Sequence, residues 1–122
     1  MTADLNQALQ DFLNDLNDVA EDHGEIFDTA VRENLFEAVY LGFLVPRAGY
    51  KLPDRFGMYS EAANAAIKTA LQKYLDAAVP LAADLTPQER LDAFQNPEVQ
   101  TEDGLTPDEF FGWIENITDL SN

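Results

Sequence analysis

The chain has no cysteine and a single histidine, His23. The first absence excludes disulfide frameworks, thiol nucleophiles and thiolate zinc sites, and the second leaves too little imidazole for most histidine metal sites or a catalytic triad. Cations are also scarce: 7 Lys and Arg face 23 Asp and Glu, a net charge of −16. Such a field repels nucleic acid and anionic lipid, so neither a direct nucleic-acid partner nor a membrane partner is expected. Long apolar runs are missing too. The most apolar stretch, Leu35 to Val45, is eleven residues interrupted by Glu37, well short of the roughly 20 that a spanning helix needs. Asp4, Asp11 and Asp15 occupy the region where a secretory leader starts with cations and continues apolar. A cytoplasmic protein is expected, and the sequon at Asn116-Ile117-Thr118 carries no weight in that setting.

What is present suffices for a core. The 122 residues include 15 Leu, 4 Ile, 6 Val and 8 Phe, above the apolar content at which high charge implies disorder. The length fits one domain. Leu5, Leu9, Phe12, Leu16 and Val19 alternate steps of four and three, which predicts an amphipathic helix over about 3–23, widened by Leu13 and Ala20 and stopped at Gly24. A second helix is expected over about 26–44, with Phe27, Val31, Leu35, Ala38 and Gly42 on one face and Phe36, Val39, Tyr40 and Phe43 covering much of the rest; Pro46 ends it. Its apolar surplus can be covered within one chain or by a second copy, which leaves a homodimer open. A third is expected over about 60–79, with Ser60 as N-cap and Pro80 past its end.

Leu85-Thr86-Pro87-Gln88-Glu89 and Leu105-Thr106-Pro107-Asp108-Glu109 form a local repeat. Each threonine precedes a proline at the first helical position and a glutamate three residues on, the arrangement of a capping box. Two short helices, about 87–95 and 107–117, are therefore expected. The fold class read from these patterns is all-α, a single-domain helical bundle of three long and two short C-terminal helices.

The candidate chemical motifs are weak. Asp103-Gly104 before Leu105 and Glu109-Phe110 resembles the end of a calcium loop, but the glutamate falls one place early and the first carboxylate is missing. His23 lies among Asp18, Glu21, Asp22, Glu25 and Asp28 at intervals that do not converge on a helix. No motif selects a carboxylate pair among the acids. The expectation is a non-enzyme with no cofactor and no metal.

Charge layout says more. Residues 1–45, 46–80 and 81–122 carry −9, +2 and −9. Asp4, Asp11, Asp18 and Glu25 recur every seven residues, as do Asp15 and Asp22, so both rows run down one flank of the first helix with no cation among them. One-sided charge of this kind destabilises a compact state by self-repulsion and fits a basic protein partner. The leading expectation is a non-catalytic acidic protein-interaction module, in the form of an inhibitor, immunity factor or nucleic-acid mimic, with that flank as its binding surface. The alternative is a small-ligand or anion-binding regulatory domain using the loop 46–59, where Arg47, Tyr50, Lys51, Arg55, Phe56 and Tyr59 combine three cations with three aromatics. In the last third, Phe110, Phe111, Trp113 and Ile114 read as core packing of the final helix.

Overall fold

The computed structural model describes residues 2–94. Among them lie four helices and no strand: α1 Thr2–His23, α2 Thr29–Val39 continuing into a π-helical turn Tyr40–Leu44, α3 Glu61–Leu81 and α4 Pro87–Phe94. The expected helix over 107–117, its Thr106 capping box, the calcium-like motif and the Trp113 cluster lie outside the described residues.

The first helix forms where its periodicity places it. Leu5, Leu9, Phe12, Leu13, Leu16 and Val19 are all buried, and Gly24 follows at φ +60°, a left-handed conformation that a side chain rarely adopts. α1 and α3 run antiparallel as the main pair of the bundle. Phe12 stacks on Tyr74 with ring centroids 4.7 Å apart, while Glu25, just past α1, meets Ser60, just before α3.

The second helix starts later than its apolar run suggests. Asp28 has extended backbone and its Oδ1 accepts from the Val31 N–H at 2.9 Å, so the helix begins at Thr29. Phe27 remains buried, but Ile26 is left 84 % exposed. α2 is one-sided, not apolar on most sides, with Thr29, Ala30, Glu33, Asn34 and Glu37 exposed, and it packs beside the central α1–α3 pair. Val31, Leu35, Phe36, Ala38, Val39, Phe43 and Leu44 are buried within the one chain, so its apolar surplus does not call for a second copy.

The third helix starts as expected, with the Ser60 hydroxyl accepting from the Ala63 N–H at 3.0 Å. It then continues through Pro80 to Leu81. Pro80 is exposed and in the last turn, where the bond lost for want of its N–H leaves a carbonyl on the exposed flank with Asp76. The Ala82 N–H closes the end on the Ala78 carbonyl at 3.0 Å.

α4 has the reciprocal cap that its sequence specifies: Thr86 N–H to Glu89 Oε1 at 3.0 Å and Glu89 N–H to Thr86 Oγ1 at 3.2 Å. The bond from the Thr86 backbone holds the Glu89 carboxyl below its usual range. A depressed carboxylate contributes stability above its unfolded value and loses it as pH falls through the folded one.

Candidate functional site

The few cations divide by role. Arg32 and Arg90 hold backbone carbonyls. The Arg32 Nε donates to the Phe27 carbonyl at 2.9 Å. Arg90 donates to the carbonyls of Phe43 at 2.7 Å, Ala82 at 2.8 Å and Leu85 at 3.3 Å, with its guanidinium 5.6 Å from the Phe43 ring centroid. One planar fork thereby joins the π turn, the end of α3 and the approach to α4. Arg90→Lys keeps the charge but cannot span three carbonyls, and should lose roughly 2 kcal/mol in urea unfolding. A loss below about 0.5 kcal/mol would mean that the clamp is replaceable by water.

Three further cations pair with carboxylates: Lys68–Asp54 at 2.6 Å, Lys73–Asp15 at 3.1 Å and Arg55–Glu61 at 3.8 Å. The Lys68 bond and charge hold the Asp54 carboxyl below its usual range. Arg47 and Lys51 make no ion pair among the described residues.

The acidic flank separates accordingly. Asp15 meets Lys73 across the helix pair, a partner invisible along α1 alone. Glu25 is structural: its two carboxylate oxygens accept from the Tyr59 N–H at 2.7 Å and the Ser60 N–H at 3.1 Å, fixing the start of α3 against the end of α1. Asp4, Asp11, Asp18 and Asp22 are exposed, and Asp11 accepts only from the Gln7 amide at 2.9 Å. No cation pairs with these four among the described residues.

The loop residues do not act as one patch. Phe56 is completely buried as part of the core, whereas Tyr59 is 94 % exposed. Phe56 is held there by Asn64, the only buried polar residue of the described core, whose Oδ1 accepts from the Phe56 N–H at 2.8 Å and the Met58 N–H at 3.3 Å. The Asn64 Nδ2 donates to the carbonyls of Met58 and Ser60, both at 3.1 Å. Arg47, Tyr50 and Lys51 instead line a cleft of about 600 Å³ between the π turn and α3, which Leu41, Leu75 and Lys68 also line. Burial first, and the Glu37 charge second, push the Tyr50 phenol above its ordinary value.

No family model, curated protein or solved structure matches this chain. Among the described residues no helix is long and apolar enough to cross a membrane, and no cluster of three or more His, Asp or Glu side chains is placed to hold a metal ion. Two surfaces remain: the carboxylate row on α1 and the cationic cleft. Asn64, Arg90 and the structural role of Glu25 carry no signature in sequence, because their partners are backbone groups brought near by the fold.

Proposed function

We propose that this chain is a non-catalytic acidic interaction module that binds a basic protein through α1. The observation that carries the reading is the row Asp4, Asp11, Asp18 and Asp22, exposed and without a cation partner among the described residues. At 1.5 Å per residue the row spans roughly 27 Å, enough to steer a cationic partner and raise its association rate. Ile26 and Tyr59 supply the apolar part of the contact: they are 84 % and 94 % exposed beside the Glu25 link at one end of the row. Exposed tyrosine next to complementary charge is a composition that protein interfaces favour. An inhibitor or immunity protein would use this surface to occlude a basic active face, and a nucleic-acid mimic to occupy a cationic groove.

The test is affinity capture at low salt with identification of the bound protein by mass spectrometry, followed by titration of that partner against wild type and the triple variant D11N/D18N/D22N. Binding by wild type should weaken at least about tenfold between 0.01 and 1 M salt, as the Debye length falls from about 30 to 3 Å. The variant should bind at least about tenfold more weakly, and its fold should be as stable as wild type within about 0.5 kcal/mol or slightly more stable at low salt. Affinity independent of both salt and the three substitutions would reject the carboxylate row as the binding surface. A stability loss above about 1 kcal/mol would show that the carboxylates are structural.

A further inference from the structure

Acids outnumber cations by more than three to one in this chain, so a cation that needed only a partner has carboxylates in plentiful supply. Arg47 and Lys51 nevertheless make no ion pair among the described residues, and both line the cleft beside the π turn. Their placement is built into the backbone. The Val45 N–H bonds the Tyr40 carbonyl at 2.8 Å, the Arg47 N–H the Leu41 carbonyl at 2.9 Å and the Tyr50 N–H the Arg47 carbonyl at 3.0 Å, with Gly49 at φ +78° completing the turn. π turns are rare and concentrate where a site needs a backbone that a regular helix does not provide. Gly42, inside this one, lets the turn lie against α3: a Cβ there would stand 3.0 Å from Leu75 Cδ1.

The cleft has the size of a small-molecule site, which usually falls between about 300 and 1,000 Å³. Leu41 and Leu75 give it apolar surface, while Arg47, Lys51 and Lys68 bring three positive charges against Asp54, the one carboxylate in the lining, with the Glu37 charge reaching Tyr50 from outside it. The Tyr50 hydroxyl, which stays protonated, adds a neutral donor. A surplus of two positive charges beside leucine side chains matches a ligand with two negative charges on an apolar body. The acidic segments elsewhere in the chain oppose anion approach mostly at long range, and that field is largely screened beyond about 10 Å at 0.1 M salt.

We infer that this cleft binds a small organic dianion, a phosphate monoester or dicarboxylate, with its anionic group on Arg47 and Lys51 and its apolar body on Leu41 and Leu75. The site is separate from the carboxylate row on α1, and neither proposal depends on the other. The experiment is calorimetric titration of the full chain at 0.1 M salt with phenyl phosphate and isophthalate as dianions, inorganic phosphate as the anion without a body, and benzyl alcohol as the body without charge. Backbone amide shifts of Gly42, Arg47 and Tyr50 locate the site. The two organic dianions should bind with Kd below about 1 mM and move those amides, inorganic phosphate should bind more weakly, and benzyl alcohol should not saturate. R47Q/K51Q, two exposed positions whose side chains make no ion pair among the described residues, should retain the wild-type circular dichroism and lose at least about tenfold in affinity. Absence of saturable binding by both organic dianions, or binding unchanged in the double variant, would overturn the inference. Inorganic phosphate binding as tightly as phenyl phosphate would overturn the role of the leucines.

Discussion

Asn64→Leu should destabilise the protein by about 3 to 5 kcal/mol in urea unfolding, although leucine keeps the branched four-atom side-chain skeleton of asparagine and α3 is a helix that favours it. The reason lies in what the substitution leaves behind. The Phe56 N–H, the Met58 N–H and the Met58 carbonyl are tied to the Asn64 amide, and each buried backbone group left unsatisfied costs about 1–3 kcal/mol. Ser60 is partly spared, because its carbonyl also accepts from the Asn64 backbone N–H at 3.2 Å. The amides of Phe56 and Met58 should be protected from hydrogen exchange in wild type and exposed in the variant. A loss below about 1 kcal/mol with protection retained would mean that burial of the Phe56 ring alone holds the loop.

The second large effect is at the α1–α3 contact. Phe12→Ala removes a ring that is 1 % exposed and stacked on Tyr74, and should cost about 3–5 kcal/mol, as for other buried aromatics. Tyr74 itself packs edge-on against Phe43 and Phe94, at 5.6 and 6.4 Å between centroids, so the cavity would open at the meeting point of α1, α3, α4 and the π turn. Burial pushes the Tyr74 phenol far above its ordinary value. In wild type it should resist ionisation on alkaline titration until the fold is lost, and in the variant it should ionise at lower pH. A variant with unchanged stability and an unchanged titration would place Phe12 outside the core.

What the sequence made legible was whatever repeats locally. The alternation of four and three in α1 identified five buried side chains, and the capping residues Ser60 and Thr86 marked two helix starts, because each works through bonds within one turn. The later start of α2 was concealed by Ile26 and Phe27, whose apolar character extended the helical pattern backward past Asp28. Pro80 marked a helix end after Val79 that the structure carries two residues further, to Leu81, since a proline in an exposed last turn weakens a helix without stopping it. Asn64 sits between pairs of alanines, where a polar side chain reads as solvent-facing, and its loop partners are six to eight positions away. Arg90 reaches a carbonyl 47 positions away. The acidic row was visible as spacing, but the claim of Glu25 on the start of α3 and of Lys73 on Asp15 required the third dimension. The π turn has no residue signature of its own, and the cleft beside it could be read in sequence only as a loop rich in cations and aromatics.

The pairing of α1 with α3 also bears on how the chain is made. α1 ends at His23, and the helix against which it packs is complete only at Leu81. At about 5–20 residues per second, the newly synthesised apolar stripe waits roughly 3 to 12 s for its partner. During that interval Leu9, Phe12 and Leu16 face the surrounding medium on a segment whose other flank is lined with aspartates. Nascent segments from neighbouring ribosomes repel one another along that flank while their stripes are still uncovered. The carboxylates along α1 thus oppose association between copies before the fold exists, independently of any role they have in the folded chain.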